Sequence, residues 1–490
     1  MSRADELVVS FYFPPSNDVA GIVLAKRHIL EGKKFDVIQN FSNDNLDWEF
    51  NDLLDEYINE RILIESDSNP NFPACTFEFV EKSLKELDKR PAYKKISTRV
   101  WAIANNFLAL KYKFRHPNVY WKAEFSDPIT INIYNKPRFA KYDNCINIET
   151  LNRYIRDLNS REGKDFKTVD KSVNFYFLVE YITYLFADEI IFTNKNQRDL
   201  MLKSLSDDLK DFVLAKSYIK PHPILPYEYY TIKDYEESLD SSMVNIAYFG
   251  NVYSKRHFEM IYHAFEVLNH KFKSKLQFHF YLNDKLLVER LTEGLEISDN
   301  IHLKDTVAYL DYLNLTTKFD VLIVNDLITS DCFEVNPYLP SKLSEYLGSG
   351  SDIWAIYEKG STLEKAEVKY KSDVHDFTTN IDVLVRILDD YSFGDDAYTV
   401  KDSIEYLQNR ITSLNMISYD EHMKALNVQS KSRKLTRQNS KLKGENSKIK
   451  KENLKLKNEN SNLKNENSKV TSEEKSSENK GIMNRLFKKF

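Results

Sequence analysis

Apolar positions in this chain gather in short runs separated by charged segments of helical period. Residues 7–13, LVVSFYF, form one such run, closed by Pro14 and Pro15. The stretch that follows, NDVAGIVLAKRHILEGKKFDVI, reads as a loop, a helix and a second strand. The alternation returns at VYWKAEF (119–125) and FADEIIFT (186–193), then as a second series at VNIAYFG (244–250), LQFHFYL (276–282) and FDVLIVN (319–325). Strands alternating with helices predict parallel, doubly wound sheets, and two series predict two Rossmann-like α/β domains. The segment IKPHPILPYEYY (219–230), rich in proline and tyrosine, is placed as the linker, which sets the domains at 1–225 and 226–400. Residues 401–427 carry an amphipathic helix (402–426) expected to brace the first domain.

The period then changes. Leu435, Leu442, Ile449, Leu456, Leu463 and Val470 recur every seventh residue, with Asn439, Asn446, Asn453, Asn460 and Asn467 four residues after each of the first five. This is a heptad with aliphatic d and Asn a positions, so residues 428–470 are expected to form a parallel coiled coil, a homo-oligomer in which Asn meets Asn. A lysine- and asparagine-rich unstructured tail is the alternative, since buried Asn and Gly444 both weaken a coil. A polar spacer (471–480) leads to GIMNRLFKKF (481–490), where Ile482, Met483, Leu486, Phe487 and Phe490 share one helical face flanked by Arg485, Lys488 and Lys489. That is the pattern of a tip that lies on an anionic membrane surface.

Charge sharpens the division. Residues 428–490 hold 18 Lys/Arg against 7 Asp/Glu, net +11, so the overall −5 leaves −16 on residues 1–427. An acidic body excludes nucleic acid as the partner of the globular part and directs the basic tail to an anionic surface. No run of about 18 uncharged apolar residues occurs and the N-terminus shows no signal-peptide pattern, so a cytoplasmic chain is expected, attached peripherally to the inner face of the membrane. The cysteines, Cys75, Cys145 and Cys332, match no metal or redox spacing and read as reduced packing residues.

Neither GxGxxG nor GxxxxGK[ST] is present, so a phosphate cradle here must use Lys, Arg and a helix N-terminus. NPYLPSKLSEYLGSG (336–350) offers one: Pro340 and a capping Ser341 open a helix that presents Lys342 and Glu345. Taken in order, FYFPPSNDVAG, FADEIIFTNKNQRDLM, IAYFGNVYSKRHFEMIYHAF and LPSKLSEYLGSGSDIWAI resemble bacterial GT-B glycosyltransferases of the large retaining nucleotide-sugar family, over about residues 7–425.

The resemblance implies a UDP- or GDP-linked sugar donor held mainly by the second domain and an acceptor held by the first. It also implies a cleft between them as the active site, no separate cofactor and no metal. Behind the glycine turn at Gly250, Lys255 and Arg256 are the basic candidates, Arg256 favoured because a guanidinium clamps a diphosphate bidentately; the alternative is that both only solvate a helix start. Lys342 supplies the second cation on the leaving diphosphate and Glu345 reaches the ribose, against the alternative of an ordinary surface helix start. The family's commonest pattern has two glutamates eight positions apart, but Pro337 stands at the first, so Glu334 is the substitute candidate for contact with the sugar hydroxyls. Asp127, before Pro128 at a strand end, orients the acceptor hydroxyl or stabilises an oxocarbenium-like centre, unless it is plain turn chemistry. Asn17 and Gly21 approach the donor phosphates. His116 and His222, each before a proline, read as structural.

The expected activity is transfer of a hexose onto a surface polysaccharide, teichoic-type cell-wall polymer, glycoprotein glycan or glycolipid. A sugar-nucleotide epimerase or polyol-phosphate transferase on the same architecture stays open, as does a non-catalytic coiled-coil scaffold.

Overall fold

The computed structural model describes residues 4–391 apart from 42–45, 67–68, 70–71, 143–145 and 269. The expected bracing helix, coil and tip lie outside the described residues. Within them the chain forms two parallel sheets. The first contains β1 (Glu6–Val9), β2 (Phe35–Asn40), β3 (Ile58–Ile64), β4 (Lys95–Val100), β5 (Tyr120–Phe125), β6 (Glu189–Phe192) and β7 (Ser217–Ile219), in the order β3-β2-β1-β4-β5-β6-β7. The second contains β8 (Val244–Phe249), β9 (Leu276–Tyr281), β10 (Ile301–Lys304), β11 (Val321–Asn325), β12 (Asp352–Tyr357) and β13 (Tyr370–Asp373), in the order β10-β9-β8-β11-β12-β13. Both orders reverse after the first strand of the half, which is the doubly wound plan with a switch point at β1/β4 and at β8/β11. Two such halves in one chain are the GT-B architecture.

Side chains show why the strands read as near-continuous apolar runs. Leu7 and Val9 enter one hydrophobic cluster while Val8, between them, enters another, so β1 is covered on both faces. The second cluster is shared by the two halves: Val8, Ile22 and Phe50 of the first join Tyr309, Leu313 and Tyr346 of the second. The first strand is shorter than its apolar run. Beyond Val9, where pairing with β4 stops, the backbone N–H of Phe11 is taken by Asn105 Oδ1 at 2.8 Å, while the Phe11 carbonyl still accepts from the Asn40 N–H of β2 at 3.0 Å. The helix Val19–Glu31 begins at Asp18, whose carboxylate accepts from the backbone N–H groups of Ala20 and Gly21 at 3.0 and 3.1 Å. Between β7 and β8 the chain is irregular except for a 3-10 turn, Tyr227–Tyr230. Its Tyr230 is buried and donates to the Glu345 carbonyl at 2.7 Å, fastening this segment to the second half.

Candidate functional site

The loops at the carboxyl ends of the strands meet at the two switch points, where open α/β sheets place their ligands. After β8 the chain turns at Gly250, with φ 139°. A Cβ there would stand 2.6 Å from Lys342 Cε, so glycine is what admits the lysine. Tyr253 and Arg256 exchange backbone hydrogen bonds at 2.9 and 2.7 Å and fold the next residues into a tight loop, which the Lys255 carbonyl ties to Ile328 behind β11 at 2.7 Å.

The two neighbouring cations of this loop divide their roles. Lys255 is buried, pairs with Asp331, lies 3.7 Å from Cys332 Sγ and sits over the Tyr134 ring, so its charge is spent on loop structure. Arg256 forms no ion pair among the described residues, and its Nε is buried without a hydrogen-bond partner. Buried N–H donors are ordinarily matched, so an orphan beside a strand-end crevice marks a place for an acceptor.

The segment around Pro340 forms a helix, Lys342–Ser349, but not with the expected cap. Ser341 is itself helical (φ −61°, ψ −31°) and its side chain accepts no cap hydrogen bond; its carbonyl instead takes the N–H and the hydroxyl of Ser344 at 3.1 and 2.8 Å. Lys342 Nζ lies 5.2 Å from the Tyr312 ring centroid and has no hydrogen bond or ion pair among the described residues. Burial lowers its pKa and nearby Arg256 pushes the same way, while Glu345 opposes them. Glu345 is buried and already engaged: its Oε1 accepts from Lys26 Nζ of the first domain at 2.7 Å and from the Tyr309 hydroxyl at 3.4 Å.

From the first domain, Asp127 follows β5. Its loop is anchored from below by Glu180, whose Oε1 accepts from the backbone N–H groups of Ile129 and Thr130 at 2.8 and 2.9 Å. Burial raises the Asp127 pKa against the pull of Arg99, Arg138 and Arg256, so the first domain's carboxylate and the second domain's guanidinium sit within electrostatic reach of each other. Beneath it, Arg99 of β4 and Glu124 of β5 are cross-strand partners, and Arg27 adds bonds to Glu124 at 2.6 and 2.8 Å. Burial alone would raise the Glu124 pKa; Arg99 and Arg27 overcome it and hold the carboxylate at about 2. Burial, with Arg99, drives the His222 imidazole down to about 3, so the ring is neutral.

The structure thus brings together Gly250, Arg256 and Lys342, with Glu345 and Asp127 in electrostatic reach. Other candidates fall elsewhere. Glu334 is exposed in a surface pair with Lys203 at 2.8 Å. Pro337 gives its carbonyl to Asn194 Nδ2 of the first domain at 2.9 Å, and Asn196 Nδ2 binds the carbonyls of Asn336 and Gly360, each at 3.0 Å. Asn17 is exposed on the turn. Gly21 is needed for packing, because a Cβ there would lie 2.2 Å from the Tyr12 carbonyl oxygen.

Sequence reasoning missed Lys26, Arg99, Arg138 and Asp326. Only Asp326 carried a readable signal, as the charged residue that directly follows the run FDVLIVN. It is fully buried, its Oδ2 accepts from the Glu358 N–H at 2.9 Å, and its Oδ1 is without a hydrogen bond. Burial raises its pKa to about 7 against the hydrogen bonds of Ser361 and the Glu358 N–H, with the Glu358 charge adding to the rise and Arg256 opposing it.

No protein-family profile and no curated protein matches the chain. Solved structures do. A sucrose-phosphate synthase from Thermosynechococcus elongatus is 13% identical with a TM-score of 0.49, over 86% of this chain and 99% of that one. Anabaena HepE in complex with UDP-glucose is 9% identical with a TM-score of 0.46, over 84% and 99%. A UDP-N-acetylglucosamine 2-epimerase is 11% identical with a TM-score of 0.43, over 83% and 91%. The likeness is one of fold. No helix among the described residues is long and apolar enough to cross a membrane.

Proposed function

We propose that the chain is a glycosyltransferase that moves a sugar from a UDP- or GDP-linked donor to a surface polysaccharide, teichoic-type polymer, glycoprotein glycan or glycolipid. The observation that carries this reading is the pair Arg256 and Lys342: two cations without ion-pair partners among the described residues, converging beside Gly250 at the switch point of the second sheet. Two like charges held close and partly desolvated are costly unless an anion completes them. A donor's diphosphate is such an anion. As the glycosidic bond breaks, negative charge grows on the leaving diphosphate, so preplaced cations favour the transition state over the ground state. Asp127, a first-domain carboxylate in electrostatic reach of Arg256, is suited to orient the acceptor hydroxyl or to stabilise positive charge at the sugar centre. Retention of configuration follows from the resemblance alone.

A thermal-shift screen of the full chain against UDP- and GDP-sugars tests the reading, because a ligand bound only by the folded state raises the melting temperature. Stabilisation by a nucleotide sugar, followed by release of the nucleoside diphosphate on incubation, is the expected result. No stabilisation by any of them overturns it. Interconversion of the sugar without its transfer would show an epimerase instead, and binding without turnover a scaffold.

A further inference from the structure

Glu345 and Lys26 are a buried ion pair that crosses between the two domains. Lys26 sits on the helix Val19–Glu31 and is 1% exposed; Glu345 sits on the helix Lys342–Ser349 and is 5% exposed. The ammonium group is 2.7 Å from Glu345 Oε1 and 3.2 Å from Ser344 Oγ. The Tyr309 hydroxyl reaches the same oxygen, Oε1, at 3.4 Å, while no hydrogen bond among the described residues uses Oε2. A pair of this kind loses two hydration shells on burial and holds domains together no better than apolar packing of the same volume, which this boundary already has in Phe50 against Tyr309 at 4.7 Å. Cohesion therefore does not account for it.

We propose that Lys26 is a positioning residue for the donor: it grips one oxygen of Glu345 from across the domain boundary and thereby presents Oε2 to the ribose hydroxyls of the nucleotide. The inference rests on the donor-site reading given above and adds the first domain to it. Lys26 also protects the site's charge balance. Glu345 and Lys342 lie three residues apart on one helix, within electrostatic reach. Freed from Lys26, the carboxylate would turn to Lys342 and neutralise a cation assigned to the diphosphate. Lys26 keeps the two functions apart, and donor affinity consequently depends on the first domain being seated on the second.

The test uses the full chain, with UDP and GDP and their 2′,3′-dideoxyribose counterparts as calorimetric probes. The parent should bind the ribose form more tightly than the dideoxy form. Lys26→Met should weaken the ribose form by on the order of tenfold or more while affecting the dideoxy form much less, so the gap between the two closes. Lys26→Arg, which keeps the cation, should restore most of the gap. Should the Met variant fail to fold, Tyr309→Phe, which removes the other hydrogen bond to Oε1, reads the same gap. Equal weakening of both forms would reveal only a structural role and overturn the inference, as would an unchanged gap. A parent that binds neither form refutes the donor-site reading itself, which is a separate outcome.

Discussion

Asp326 provides a test of the second domain's electrostatics that needs no substrate. Its carboxyl group is fully buried at the carboxyl end of β11, and burial, opposed by hydrogen bonds from Ser361 and the Glu358 N–H and by the charge of Arg256, lifts its pKa from 3.8 to about 7. In the unfolded chain the same group titrates near its ordinary value. Between about pH 4 and pH 7 the folded state holds a proton that the unfolded state has given up, so stability falls as pH rises through that window and is level above it. At about 1.4 kcal/mol per pH unit, a gap of roughly three units sets an upper bound of about 4 kcal/mol on the loss. Asp326→Asn removes the titration while keeping an acceptor for the Glu358 N–H. Urea unfolding of parent and variant between pH 4.5 and 8.5, followed by tryptophan fluorescence, to which Trp354, buried in β12 of the same sheet, contributes, measures the difference. The variant's advantage should grow steadily to about pH 7 and then stop. An advantage independent of pH would mean that Asp326 does not carry the proton and that burial is not what governs it.

Arg256→Ala and Lys342→Ala are each expected to lower kcat/KM by about a hundredfold or more with the melting temperature little changed; near-normal turnover in both removes the diphosphate assignment. Gly21→Ala places a methyl group against the Tyr12 carbonyl, a backbone atom that cannot rotate away, and should cost about 3 kcal/mol or more in urea unfolding, whereas Gly32→Ala meets nothing within 4 Å and pays only for its left-handed φ of 63°. Deleting residues 481–490 should release the protein from anionic liposomes in flotation without altering its oligomeric state, while Asp at positions 442, 449 and 456 should abolish both. A monomeric coil variant that still floats as well as the parent would show that oligomerisation does not strengthen the membrane contact.

The strands legible in the sequence were those buried among apolar neighbours on both faces. β4, KISTRV, is as central as any, yet it shows no apolar run. Ser97 donates to Glu6, Thr98 accepts from the Trp121 indole at 3.0 Å, and Arg99 pairs with Glu124, so its polar side chains are buried against partners on other strands. Such pairing is invisible until the register is known, and the same holds for Lys26, whose partner lies 319 residues away. Local chemistry was easier to read. The Lys342 helix start and the Gly250 turn could be located because proline and glycine act on their own neighbours. The difference between Lys255 and Arg256 was out of reach, because Lys255 is engaged by Asp331, a residue that no local pattern joins to it.

The first domain grips the loop before the Lys342 helix through its main chain. Asn194 and Asn196 read the carbonyls of Asn336, Pro337 and Gly360, and a carbonyl is present whatever side chain the residue bears. Docking is therefore insulated from the identity of the residues that line this edge of the crevice. A substitution at Pro337 therefore keeps the acceptor that Asn194 uses and leaves the two halves in register.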